Sequence, residues 1–207
     1  MYYSIFPTQT SYISSGSHPD TGESMKDQNF GGSEVLELKK VFQTNAFYYQ
    51  TRMLVNFDLN EVGNSISQSI VEEKIPAPSV VGAGGAKYYL KLYETEGNKE
   101  LSEEYKLSFH PISESWQQGI GKSFDSPKTT EGVSWRHRTN ATNASAVDWT
   151  NTAVVGAGGT ILNVSQSEAS YDRTTSTDID VDITDMVKGW LKNQMPNYGV
   201  LVKFSGS

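Results

Sequence analysis

The stretch DIDVDITDMVKGWLKNQMPNYGVLVKF, Asp178 to Phe204, decides how this chain folds. Asp178, Asp180 and Asp182 alternate with Ile179, Val181 and Ile183, so three carboxylates share one face of a strand and three β-branched residues share the other. Thr184 stands where a helix cap is expected, and Val187, Trp190 and Leu191 follow at the i, i+3, i+4 spacing of an apolar stripe that lies on a sheet. Asn197-Tyr198-Gly199 supplies a turn, and Val200 to Phe204 alternates again as a second strand. The unit is architectural: Trp190 belongs to its buried stripe, a structural role, and nothing in it performs chemistry.

Working back towards the N-terminus, Tyr2 to Tyr12 reads as a strand interrupted by Pro7, which belongs at an edge or a bulge. Asn29-Phe30-Gly31-Gly32 makes a turn into the alternating segment Glu34 to Leu38, and the next strand runs from Tyr48 to Leu59. Parity puts Arg52 and Asp58 on one face of that strand, where an inward arginine calls for a buried acidic partner, and both are assigned structural roles. Val62, Ile66 and Ile70 predict a short helix or helical turn within Glu61 to Lys74. Ala86 to Tyr93 reads as a central strand paired with Tyr105 to Pro111. VVGAGG occurs at Val80 and again at Val154, but the flanks differ and no GK[ST] follows, so the two are loops of like composition rather than a repeat or a phosphate cradle. Together these elements predict one all-β domain over residues 1–207, an antiparallel, jelly-roll-like β-sandwich with long loops and one short C-terminal helix.

Composition narrows the function. The chain of 207 residues has no cysteine, which removes disulfides and thiolate metal sites, and its 11% aromatic content fits a sandwich with many loops. A net charge of -7 argues against nucleic acid or an anionic membrane as the partner. The first residues lack the basic segment and apolar run of a secretory signal, and no stretch approaches a membrane span, so the expectation is synthesis in a cytosol.

Candidate chemistry is sparse. His18, His110 and His137 lie far apart, no G-x-S-x-G elbow or HExxH helix is present, and no feature selects a catalytic pair among the 24 acidic residues. Asp178, Asp180 and Asp182 invite calcium, but alternate residues of a strand stand about 7 Å apart. One ion held at about 2.4 Å cannot reach all three. One of them with loop carbonyls could still contribute to a calcium site, but the spacing supports none, and the expectation is no cofactor and no metal site. Trp116, Trp135 and Trp149, with Tyr48, Tyr49, Tyr89 and Tyr93, are the expected contact residues for a carbohydrate or a protein partner, because aromatic faces stack on sugars and anchor interfaces; the alternative is that Trp116 and Trp190 cover the two open ends of the sandwich core.

Taken in order, TRMLVNFDL (Thr51 to Leu59), AKYYLKLY, SWQQGIG, GVSW, DITDMVKGWL and PNYGVLVKF resemble the landmarks of DNRLRE-type β-sandwich domains, which look like jelly-roll carbohydrate-binding modules. In relatives such domains sit on secreted surface proteins or serve as virion proteins of tailed phages. The resemblance implies a non-enzymatic virion protein, a capsid decoration or a tail or fibre component, contacting other virion proteins in a symmetric multi-copy assembly. A host surface glycan is a further implied partner, and a carbohydrate-binding module with an aromatic platform is the alternative.

Overall fold

The computed structural model of the chain describes residues 2–18, 20–43, 46–74, 85–95, 104–141, 144–150, 158–172 and 178–206. Among them the strands are β1 (Gln9–Ser14), β2 (Lys40–Gln43), β3 (Ala46–Asn56), β4 (Tyr89–Leu92), β5 (Glu104–Pro111), β6 (His137–Thr139), β7 (Val147–Asp148), β8 (Ser167–Asp172), β9 (Ile179–Asp182) and β10 (Val200–Phe204). The helices are α1 (Leu59–Val71) and α2 (Thr184–Leu191). The main sheet runs β1-β3-β10-β5-β8, with β2 also paired to β3, and every pairing is antiparallel.

Alternation assigns this sheet two buried faces. Leu107, Phe109, Val200, Val202 and Phe204 point to one side and pack with Met186, Val187 and Trp190 of α2, Leu90 of β4 and Val181 of β9. Ile13, Leu54 and Leu201 point to the other and meet Trp116, Val133, Trp135 and Trp149. A sheet apolar on both faces must be covered twice. Here α2 with the β4–β9 pair covers one face, and the loops after β5 cover the other.

The closing unit forms as its spacing predicts. Trp190 is buried, and Gly199 takes a positive φ of 91°, where a Cβ would lie 2.2 Å from the Val55 carbonyl oxygen. The cap differs from expectation. Asp182 Oδ1 accepts from the Thr184 amide at 2.8 Å, while Thr184 Oγ1 accepts from the Tyr88 amide at 2.9 Å and ties the helix to the segment entering β4.

Other expectations change. Pro7 lies outside the first strand, because β1 begins at Gln9. Glu34 to Leu38 is not a strand: the Thr51 hydroxyl donates to the Glu37 carbonyl and accepts from the Lys39 amide, so pairing with β3 starts only at Lys40. Strand β3 ends at Asn56, and Asp58 is the exposed N-cap of α1, accepting from the Asn60 amide at 2.8 Å rather than sharing a strand face with Arg52. The helix expected around Val62, Ile66 and Ile70 forms as α1, beginning at Leu59 and running longer than α2, so the fold carries two helices rather than one short C-terminal helix. Strand β4 pairs with β9, not with β5, which lies between β10 and β8. The first VVGAGG, apart from Gly85, and all but Gly158 and Gly159 of the second lie outside the described residues.

Candidate functional site

The two tryptophan-glycine segments, SWQQGIG and GVSW, are joined by a residue from the other end of the chain. Asn29 is fully buried, and its Nδ2 donates to the carbonyls of Gln118 at 2.7 Å and Val133 at 2.8 Å. Its Oδ1 accepts from the amides of Gly31 at 3.1 Å and Gly121 at 2.8 Å. All the bonding directions of the amide are thus used in cross-linking three loop segments. Gln118 completes the lock, accepting at Oε1 from the Thr10 amide at 3.1 Å and donating from Nε2 to the Gly31 carbonyl at 2.6 Å. The glycines are required by contact. A Cβ on Gly119 would lie 2.4 Å from Asn29 Oδ1, and one on Gly132 2.6 Å from the Gly119 Cα.

Trp116, Trp135 and Trp149 do not form a surface platform. They are 6%, 8% and 1% exposed, so no ring face is open to a sugar or a partner. Trp116 Nε1 donates to the Tyr198 carbonyl at 2.8 Å, and Trp149 Nε1 donates to the Ser134 carbonyl at 3.0 Å. The physical reason is the sheet beneath: Ile13, Leu54 and Leu201 present an apolar face that three indoles cover. Arg52 joins this layer without a carboxylate partner among the described residues. Its Nη1 donates to the Gly158 carbonyl at 2.6 Å, its guanidinium stacks on Trp135, and burial pushes its pKa down to about 10.

The exposed apolar side chains lie elsewhere. The locked loop holds Ile120 and Phe124 outward at 77% and 92% exposure. Its backbone is pinned by Gly32 N–H to the Gly121 carbonyl, Gln28 Nε2 to the Lys122 carbonyl, and Lys122 N–H to Asp125 Oδ2. A second group is Tyr2, Tyr3 and Phe6, all exposed on the segment before β1, with exposed Tyr89 and Tyr93 on and beyond β4. Tyr3 also borders a polar groove of about 510 Å³ along α1, lined by Asn60, Glu61, Asn64, Gln68 and Glu72.

The remaining candidates are occupied locally. Asp180 pairs with Lys91 at 3.0 Å, Asp178 accepts from the Glu94 amide, and Asp182 accepts from the Thr184 amide at the start of α2. His137 sets Nδ1 2.6 Å from Asp148 and Nε2 3.6 Å from Asp27, while His18 closes its own turn by accepting from the Asp20 amide. Sequence reasoning missed Asn29, whose only signal was its place in an Asn-Phe-Gly-Gly turn. It also missed Ile120 and Phe124. No protein-family model matches the chain, and no curated protein matches it.

Proposed function

We propose that this chain is a non-enzymatic structural protein of a tailed-phage virion, a capsid decoration or a tail or fibre component, that acts through contacts with neighbouring virion proteins. The observation that carries the reading is the pair Ile120 and Phe124, held outward on a loop whose backbone is locked by Asn29. A preordered apolar contact loses little conformational entropy on docking. Repetition over a symmetric particle lets weak contacts of this kind hold firmly. The exposed aromatic residues of the N-terminal segment offer a second contact, and the net charge of -7 keeps the subunit soluble before assembly. The order of motifs resembling DNRLRE-type domains supports the virion setting and the jelly-roll-like sandwich, with the β4–β9 pair as the start of a second sheet.

Mass spectrometry of density-purified particles from the source culture tests this. A copy number comparable to that of the major capsid protein supports decoration, and a small fraction of it supports a tail or fibre part. Absence from particles sinks the reading.

A specific observation favours the carbohydrate-binding alternative at a place other than the tryptophans. The amide and carboxylate side chains of the α1 groove, with Tyr3 at 61% exposure on its border, are groups that bond sugar hydroxyls and stack on a ring. Binding of a polysaccharide that Tyr3→Ala abolishes would support this second reading; tryptophan quenching would not report on it, because the indoles are buried.

A further inference from the structure

The loop that presents Ile120 and Phe124 runs beside residues 32–34. The Gly32 amide donates to the Gly121 carbonyl at 2.9 Å, and a Cβ on Gly32 would lie 2.2 Å from the Ile120 carbonyl oxygen. Lys122 Nζ then stands 3.7 Å from Glu34 Oε1. Just beyond, Leu36 packs inward against Tyr12, Met25 and Phe30, while Val35 is left 54% exposed. Val35 therefore joins Ile120 and Phe124 in one outward apolar group, drawn from two stretches that are tied together. An apolar group rimmed by charge marks a contact surface.

The charges at the rim select the occupant. Asp125 Oδ2 accepts from the Lys122 amide at 2.8 Å, and Lys128 Nζ donates to the Ser24 carbonyl at 3.1 Å. Lys122 and Glu34 are held less closely. Their side chains are 54% and 89% exposed, and at 3.7 Å they form a long ion pair rather than a hydrogen bond. One exposed pair of this kind contributes little within a chain, so either member can change partner at low cost. A neutral apolar partner would bury both charges unpaired, and a partner of one charge sign would set a like charge against one of them. A second copy of the chain, related by a two-fold axis, brings Glu34 to Lys122 and Lys122 to Glu34 while its apolar group meets the same group.

We propose that Val35, Ile120 and Phe124 form the centre of an isologous contact between two copies of this chain, with Lys122 of each copy paired to Glu34 of the other. The inference rests on the reading of Ile120 and Phe124 as an assembly contact and names the neighbour as the chain itself. Three apolar side chains from each copy make a small interface, so the free dimer is weak, with a dissociation constant of about 100 μM. Repetition over an assembly makes such a contact firm.

Analytical ultracentrifugation of the full chain from about 10 μM to about 1 mM tests this. A monomer–dimer equilibrium is expected in that range, and Phe124→Ser, with a native circular dichroism spectrum, should weaken it by about tenfold or more. The charge pairing has its own test. Glu34→Lys and Lys122→Glu should each lose self-association through like-charge repulsion, and an equimolar mixture of the two should form a heterodimer, because each lysine then faces a glutamate. A pair that acts only within one chain gives no such rescue. A chain that stays monomeric throughout, a dimer indifferent to Phe124→Ser, or charge variants that do not recover on mixing would overturn the proposal. If the monomeric chain is nonetheless lost from particles when Ile120 and Phe124 are replaced, the contact belongs to a different virion protein and the virion reading survives. A dimer with the expected charge rescue that is absent from particles sinks the virion reading and supports this inference.

Discussion

The guanidinium carbon of Arg52 lies 4.8 Å from the centre of the Trp135 ring, and Gly158 lies against both. Desolvation of the cation is offset here by a ring face and a carbonyl rather than by a carboxylate. A double-mutant cycle of Arg52→Met and Trp135→Leu in urea is expected to give a favourable coupling of about 1 kcal/mol. A coupling of zero would mean that the stacking contributes only packing. Gly158→Ala should destabilise as well, because its φ is +71° and the new Cβ would sit 2.7 Å from the Trp135 ring.

Asn29 holds four backbone groups at once. Asn29→Ala strands the carbonyls of Gln118 and Val133 and the amides of Gly31 and Gly121, and should cost about 3 kcal/mol in chemical denaturation. Asn29→Asp retains the acceptor and loses the donor, so it should be no milder. Hydrogen exchange of the Gly121 amide in either variant should rise far above that of β10.

Gly119 and Gly132 have φ values of 75° and 104°. Alanine at either meets backbone, with a Cβ 2.3 Å from the Glu131 carbonyl oxygen at Gly119 and 2.8 Å from the Gly119 nitrogen at Gly132. Each substitution is expected to cost about 2 kcal/mol or more and to lower the midpoint of thermal unfolding. Gly63→Ala is the control. Apart from its chain neighbours and the backbone of its own helix, nothing lies within 4 Å of its added Cβ, and the helical site favours alanine by about 1 kcal/mol.

Burial, reinforced by Lys203, holds the pKa of His110 below its ordinary 6.5. The unfolded chain therefore takes up a proton at this position before the folded chain does. The stability tied to neutral His110 is complete above pH 6.5 and declines as the pH falls below it, until the folded imidazole itself protonates. His110→Gln should flatten that part of the stability profile measured by urea unfolding. Lys203, Glu168 and Arg52 are the charged groups that act on the ring.

If Ile120 and Phe124 are the assembly contact, Ile120→Ser with Phe124→Ser should leave the thermal midpoint unchanged within a few degrees, because exposed side chains contribute little to folding. The same double variant should disappear from purified particles. Undiminished incorporation would remove this pair from the interface.

The legible parts of the fold were those written in short-range spacing. Val62 and Ile66 placed an apolar stripe on α1, and Val187 and Trp190 did so on α2. Adjacency misled in one case: β4 and β5 follow each other in sequence, yet β4 pairs with β9 and β5 is central. The alternation of β4 defines which face is apolar without defining which strand lies alongside. The candidate site was less legible. Tryptophan in a glycine-rich polar loop looks the same in sequence whether it faces solvent or a sheet, and Trp149 in such a loop is 1% exposed.

By itself the sequence determined an antiparallel, β-rich fold with an amphipathic helix near its end, because strand and helix periodicities depend on neighbours a few residues apart. Tertiary structure alone decided that three tryptophans cover Ile13, Leu54 and Leu201, that Asn29 locks a loop about 90 residues away, and that Ile120 and Phe124 are left outside. It also placed Arg52, Lys203, Ser108 and His110 on one face. Strand order and register set these meetings, and both follow from the joint packing of the whole core rather than from any local pattern.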